Sequence, residues 1–229
     1  MIGFVTALRE ERQALKRVFE LERAGTLGGL ELSLGPGCVH LCTGMGAERV
    51  VTGAQVLAKS YQPELLVLAG FSVGLTQEAE VGTVVCDERS ASEFQALPEQ
   101  GLRLGRIATS GFLNTDSQKK AFAEKHPESL IADLESESFL EAFAEGPPVL
   151  VLRVVSDDVN TTLPLDFSKY TTKDGFPNQA AIAKRVALNP LVLGKMIRLA
   201  RDAGTATRSL SSALQRLKPL IIGFGVDES

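Results

Sequence analysis

The chain has 229 residues, 44% of them apolar and 23% charged, and its formal net charge is −4. This composition is typical of a soluble globular protein and excludes a disordered, fibrous or membrane-spanning chain. Lys and Arg are scattered along the sequence, so we expect no nucleic-acid partner. The length fits one domain spanning residues 1–229.

The amino-terminal segment does not resemble a targeting signal. The apolar residues 1–8 are followed at once by the charged run Arg9–Arg12, and no other stretch approaches the length of a membrane span. We therefore expect a cytoplasmic protein. The three cysteines lack CxxC spacing, which favours reduced, buried thiols over a metal site, and we expect no metal and no cofactor.

The first half of the chain alternates apolar runs with amphipathic stretches. Strands are predicted at 2–7, 30–34, 39–43, 65–69 and 81–86, with the middle pair forming a hairpin around Gly35–Gly37. Helices are predicted at 9–19 and 47–60. The two glycines of the segment 70–74 predict a tight turn after the fourth strand.

The second half continues this pattern. It predicts strands at 106–108, 130–134 and 149–155 and helices at 117–125, 136–145, 179–188 and 191–217. Residues 158–178 lack periodicity and form a connection of unusual length, suited to covering a site. The order of elements predicts an α/β fold of three layers, α/β/α, with a central mixed sheet.

Three acidic residues follow predicted strands, where ligands gather in open α/β sheets. Glu11 lies in the first turn after strand one, where the helix dipole favours an ionised carboxylate that can accept a proton. The alternative is an ordinary first-turn acid. Glu135 follows the strand at 130–134 and is either a ligand of sugar hydroxyls or a helix cap.

Asp157 ends the strongest predicted strand. A carboxyl group beside apolar walls has a raised proton affinity, which suits a proton donor. Arg153 interrupts the same strand, and a buried charge of this kind needs a partner or an opening to solvent. A structural ion pair is the alternative role for Arg153.

The strings Ala132–Ser136 and Leu152–Asp157 resemble the purine nucleoside phosphorylase and nucleosidase superfamily, and in particular the bacterial 5′-methylthioadenosine/S-adenosylhomocysteine nucleosidases. The segments 7–11, 70–74 and 112–114 resemble the amino-terminal loop, glycine turn and purine-contacting segment of those enzymes. The resemblance covers roughly residues 1–160.

The resemblance implies hydrolytic cleavage of the N-glycosidic bond of a purine nucleoside. It implies that Glu11 activates water, that Asp157 donates a proton to purine N7, and that Arg153 helps to fix the nucleophile. Glu135 would bind the ribose hydroxyls and Phe112 would stack on the base. The remaining implied contacts are Leu113, Leu134, Phe71, Ser72 and Ser156. The resemblance also implies a homodimer.

Three departures from the superfamily pattern bear on the substrate and on the nucleophile. Phe71 stands where a small hydroxyl residue usually follows the first glycine, and it suits either an apolar 5′ substituent or the core. The phosphate-binding arginine of the phosphorylases has no counterpart near Leu68, which favours water over phosphate as the nucleophile. The purine segment is also shorter than in the nucleosidases.

Three alternatives remain open. The first is a phosphorolytic nucleoside phosphorylase. The second follows from residues 158–217, which look more like the hopanoid-associated members thought to act on adenosylhopane, a bulky apolar nucleoside. The third is a nucleoside-binding protein without catalysis, because this fold hosts members that have lost activity.

Overall fold

The computed structural model describes residues 1–90 and 102–224. The predicted domain range also includes 91–101 and 225–229, which lie outside the described residues. The strands are β1 (Ile2–Thr6), β2 (Glu22–Leu27), β3 (Leu30–Gly35), β4 (Cys38–Cys42), β5 (Leu65–Gly74), β6 (Val84–Asp87), β7 (Arg103–Thr109), β8 (Ser129–Asp133) and β9 (Val149–Asp157). The helices are α1 (Arg9–Val18), α2 (Ala47–Tyr61), α3 (Asp116–Lys125), α4 (Ser136–Ala142), α5 (Gln179–Ala187) and α6 (Pro190–Gly223), with a 3₁₀ turn at Phe167–Tyr170.

The strands form one mixed sheet in the order β2-β3-β4-β1-β5-β8-β7-β6-β9. An additional parallel pairing joins β9 to β5, so the last five strands in this order close into a small barrel. β5 and β9 run parallel, as do β1 and its neighbours β4 and β5. The carboxyl ends of β1 and β9 consequently meet at one edge of the sheet.

Helices cover both faces of the sheet, as the sequence predicts. Along β5 the buried residues alternate: Leu65, Val67 and Ala69 join the cluster that contains α1 and α6, whereas Leu66 and Leu68 join the cluster that contains α2 and α4. This alternation is the period of two that a strand imposes on its side chains. The predicted α/β class with a mixed central sheet is confirmed, and its closure into a barrel is an additional feature.

The segment 70–74 is not the turn that its two glycines predict. It continues β5, because Gly70–Ser72 pair with β9 while Val73 and Gly74 pair with β8. The backbone groups of all five residues thus belong to the sheet. Gly70 serves close approach instead: an added Cβ would overlap Arg153 Nη1 and lie 2.7 Å from Glu11 Oε1.

The other differences between the predicted and the observed elements are one strand that was not predicted and the ends of several elements. β2 pairs with β3 but has exposed side chains, so it lacks the apolar pattern that would reveal it. β9 extends two residues beyond its predicted end, to Asp157, and α6 runs six residues further than predicted. The three cysteines are free and buried, as expected. In the described ranges, no helix combines the length and apolar character needed to cross a bilayer.

Candidate active site

A cavity of about 810 Å³ opens at the sheet edge where β1 and β9 end. Nine of the ten residues singled out in the sequence line it: Glu11, Phe71, Ser72, Phe112, Leu113, Leu134, Glu135, Ser156 and Asp157. The tenth, Arg153, is fully buried next to the wall. The residues come from five separate stretches of the chain, and the fold brings them to one place.

Glu11 is held by backbone amides on two sides. Its Oε2 accepts hydrogen bonds from the amides of Ala7 and Leu8, at 2.9 and 2.7 Å, and its Oε1 accepts one from Phe71 at 2.8 Å. Glu11 therefore caps its own helix, as the simpler interpretation predicts, and also faces the cavity. Burial raises the pKa of Glu11 to about 7, against the opposing effects of Arg153 and the amides.

Arg153 is the centre of a buried charge network. Its Nε lies 2.5 Å from Asp133 Oδ2, and its Nη2 lies 3.1 Å from Glu135 Oε2. The ion-pair role proposed as the alternative for Arg153 thus exists. Its Nη1 has no hydrogen-bond partner among the described residues, although it lies with Glu11 Oε1 against Gly70.

Glu135 occupies the N-cap position of α4, but its side chain makes no capping hydrogen bond. Its Oε1 accepts a hydrogen bond from the amide of Gly46 at 2.9 Å, and its other oxygen binds Arg153. Burial raises the pKa of Glu135, while Arg153 acts in the opposite direction. The carboxylate is fixed from two elements, and its residue still borders the cavity.

Asp157 forms an ion pair with a lysine that was not among the predicted site residues. Lys119, on α3, is fully buried, and its Nζ lies 2.5 Å from Asp157 Oδ2. The same ammonium donates to the carbonyls of Asp158 and Thr161, both at 2.8 Å. Ser156 Oγ donates to Asp157 Oδ1 at 2.8 Å. Burial raises the pKa of Asp157, and Lys119 and Ser156 lower it.

The environment of Asp157 therefore differs from the purely apolar one expected. Its proton affinity is a balance between desolvation and a buried ammonium group. Lys119 shares a helical face with Phe122 and Ala123, which pack against the small cluster around Leu75. A lysine at that spacing was the one signal in the sequence for a buried cation. Asp133 lies inside the string Ala132–Ser136, but nothing in the sequence pattern gives it a role of its own.

Phe71 and Ser72 lie in the carboxyl-terminal half of β5. Phe71 is half-buried and packs against the core cluster while also lining the cavity, so both roles considered for it are compatible with its position. Ser72 Oγ is buried without a hydrogen-bond partner in the described part of the chain. An unpaired hydroxyl on a cavity wall is suited to binding a polar group of a ligand.

A second wall of the cavity is apolar and comes from the two carboxyl-terminal helices. Its residues include Ile182 of α5 and Met196, Leu199, Ala200 and Ala203 of α6. The segment predicted to cover the site contributes Leu163, Phe167 and Pro177. The cavity thus has a charged wall at the strand ends and a largely apolar wall from α5 and α6, which also contribute Gln179, Thr207, Arg208 and Ser211.

Comparison with known proteins gives a consistent result. No family model matches the chain. It is 26% identical over 110 residues to the 5′-methylthioadenosine/S-adenosylhomocysteine nucleosidase of Listeria welshimeri, an alignment that covers 46% of the chain and 47% of the relative. The chain thus matches about half the length of this relative. It is 19% identical to the Shewanella halifaxensis nucleosidase over 76% of the chain and 93% of the relative.

The fold agrees with the sequence similarity. The structure of Arabidopsis thaliana 5′-methylthioadenosine nucleosidase in its apo form superposes with a TM-score of 0.70 at 16% identity, covering 100% of the chain and 98% of that protein. These similarities support the resemblance to the purine nucleoside phosphorylase and nucleosidase superfamily that the sequence predicts. Within that superfamily, these similar proteins are nucleosidases.

Proposed function

We propose that the chain catalyses hydrolysis of the N-glycosidic bond of a purine nucleoside. The observation that carries this proposal is that Glu11, Glu135 and Asp157, which are distant in sequence, line one cavity. Hydrolysis of such a bond needs a base for water, a means of holding the ribose and an acid for the leaving base. The three carboxyl groups supply one candidate for each need.

In the proposed reaction, Glu11 takes a proton from water, and the water oxygen forms a bond to C1′ of the ribose. The bond from C1′ to N9 breaks, its electron pair passes to the purine, and N7 receives a proton from Asp157. Glu135 accepts hydrogen bonds from the ribose hydroxyls. Arg153 Nη1, which lies with Glu11 Oε1 against Gly70, orients the water.

Electrostatics support a cationic sugar in the transition state. Around Arg153 stand three carboxyl groups, those of Glu11, Asp133 and Glu135. When all are ionised, this group carries a net charge of about −2, because one guanidinium balances only one carboxylate. An oxocarbenium-like ribose would supply positive charge where the cavity lacks it.

The test is release of free base from methylthioadenosine, adenosylhomocysteine, adenosine and inosine, with and without phosphate. Equal rates in both conditions support water as the nucleophile, and a requirement for phosphate would support a phosphorylase. Leu68, near the place of the phosphorylase arginine, is fully buried in the core, which favours water. Binding without turnover across a wider nucleoside panel would support the alternative of a nucleoside-binding protein without catalysis.

The apolar wall favours a second candidate for the substrate, a purine nucleoside with a bulky apolar 5′ substituent. Each methylene group transferred from water to this wall would contribute about 0.8 kcal/mol, or roughly a fourfold gain in kcat/KM. A series of 5′-alkylthioadenosines of increasing chain length measures this gain. Ala203→Phe, which fills the wall, should remove the dependence on chain length. No gain along the series would eliminate this substrate class.

We also propose that the protein acts as a cytoplasmic homodimer and as one domain. The resemblance to the nucleosidases supports the dimer. Sedimentation velocity of the full chain determines its oligomeric state, and a monomer at the concentration of the activity assay would exclude the dimer.

A further inference from the structure

The junction of α5 and α6 concentrates positive charge in an otherwise acidic chain. Residues 175–201 contain no Asp or Glu, but they contain Lys184, Arg185, Lys195, Arg198 and Arg201. All five side chains are exposed. Arg198 has an ion pair with Asp202 at 3.7 Å. We call residues 184–201 the basic corner.

The basic corner also carries half of the large apolar side chains that the described residues expose. Leu188 is 72% exposed, Leu191 84%, Leu193 48% and Ile197 55%. Such a group of exposed apolar side chains within 10 residues is unusual on a protein that stays in water, and it marks an interaction surface.

The apolar residues project from a fixed place. α5 ends at Ala187 and α6 begins at Pro190, so Leu188 and Leu191 lie at the junction of the two helices. Ile182 of α5 and Val192 of α6 pack with Leu165 in a small core of their own. Because that core holds the inward faces of both helices, Leu188 and Leu191 remain on the outside.

The charges stand one helical turn behind this apolar tip. Lys184 lies four residues before Leu188 and Lys195 lies four residues after Leu191, a distance of about 6 Å along a helix axis. Apolar side chains that enter the acyl boundary by roughly 5–10 Å, with Lys and Arg at the level of the headgroups, describe a protein docked on a bilayer surface. The core of a protein–protein interface is instead depleted in lysine.

We propose that the basic corner docks the protein on the surface of a lipid bilayer that contains anionic lipids. Leu188 and Leu191 enter the interface, and the five basic side chains face the anionic headgroups. The same two helices form the apolar wall of the cavity through Ile182, Met196 and Leu199. Docking would bring that wall to the membrane, from which an apolar nucleoside could enter. Docking itself does not depend on the proposed function, because it requires no nucleoside.

The experiment is co-sedimentation of the full chain with vesicles of phosphatidylcholine alone and of phosphatidylcholine mixed with phosphatidylglycerol. We expect binding to the anionic vesicles at low salt, weakened at least roughly tenfold on neutral vesicles and by added salt. The variant Leu188→Asp/Leu191→Asp should lose binding by at least about tenfold. Ile222→Asp, on the same helix roughly 45 Å from Leu191 and also at an exposed site, is the matched control and should bind as the wild type does.

Two further measurements keep the result decisive. Circular dichroism checks that the double aspartate variant folds. If that variant does not fold, Lys184→Gln/Lys195→Gln, which changes only exposed side chains, tests the contribution of charge to vesicle binding. Failure of the wild type to bind either vesicle, or undiminished binding by the variants that fold, would overturn the proposal. So would an assembly in solution that the aspartate variant dissociates while vesicles bind neither protein, since the corner would then contact a second copy of the chain.

Discussion

Replacement of Glu11 by Gln should make the protein more stable at alkaline pH while it abolishes cleavage. Burial raises the pKa of Glu11 from 4.5 to about 7. The folded state therefore prefers the protonated acid, and ionisation of Glu11 costs stability. This cost is absent below pH 4.5, grows as the pH rises from 4.5 to about 7, and is constant above that.

The magnitude follows from the difference between the two pKa values. At roughly 1.4 kcal/mol per unit, the full cost is about 3 kcal/mol, and about 2–3 kcal/mol of it falls between roughly pH 5 and pH 8.5. Gln cannot ionise, so it escapes this cost. Gln has an NH₂ group in place of one carboxylate oxygen, which weakens the hydrogen bonding around the amide of Phe71, the donor to Glu11 Oε1 in the wild type. The stability lost with that hydrogen bond is the same at every pH.

The assay is urea unfolding of wild type and Glu11→Gln at both pH values. The free energy of unfolding of the variant, relative to wild type, should rise by about 2–3 kcal/mol between the acidic and the alkaline measurement. Glu10→Gln, a neighbouring change at an exposed side chain, is the control and should show no such rise. A relative stability that stays constant with pH, or falls, would refute the assignment of Glu11 as a destabilised buried acid.

Four other predictions concern the same site. The value of kcat/KM should rise with pH through about 7, because the proposed base Glu11 must lose its proton; a profile flat across that range would exclude it. Asp157→Asn should lose about 3–5 kcal/mol of stability in urea unfolding at a pH alkaline enough to ionise Asp157 in the wild type, because Lys119 then stays buried without its counter-ion, and Lys119→Met/Asp157→Asn should lose less than the single variant. Gly70→Ala should reduce kcat/KM by about 100-fold or more by displacing Glu11 and Arg153, whereas Gly194→Ala, where an added Cβ meets nothing within 4 Å, should not. Arg153→Met should destabilise by about 3–5 kcal/mol, because Asp133 and Glu135 lose their shared cation; a smaller loss above pH 7 than below it would contradict this reasoning.

The sequence predicts most elements of the fold because the core alternates with regular periods. β5 and β9 are predicted from short, continuous apolar runs, and α1 from one apolar stripe. β2 was not predicted, because both of its faces are exposed and only its backbone pairing with β3 defines it. The extension of β5 through Gly70 was not predicted. In a sequence, a glycine that allows a tight turn looks the same as a glycine that leaves room for two buried charged side chains, here those of Glu11 and Arg153.

That Glu11, Glu135 and Asp157 lie at one cavity was predictable, because ligands gather outside the carboxyl ends of the strands in open α/β sheets. The contacts of Lys119 and Asp133 were not predictable, because they depend on partners far along the chain. Lys119 meets Asp157 from a helix 38 residues earlier, and Asp133 meets Arg153 from the preceding strand in the sequence. The scattered basic residues of the sequence become a local concentration only when α5 and α6 place them at one corner.

The buried charges of the cavity form two groups of different character. Once Asp157 has given its proton to the purine, the carboxylate that remains is balanced one to one by the Lys119 ammonium group beside it, so the transfer leaves no uncompensated acid. Arg153 faces Asp133, Glu135 and Glu11, so that group is one-sided and favours a cation nearby. Cleavage of a glycosidic bond develops positive charge on the sugar and negative charge on the base. The one-sided group is therefore suited to the ribose, and the balanced pair, which holds an ammonium group beside its acid, is suited to the departing purine.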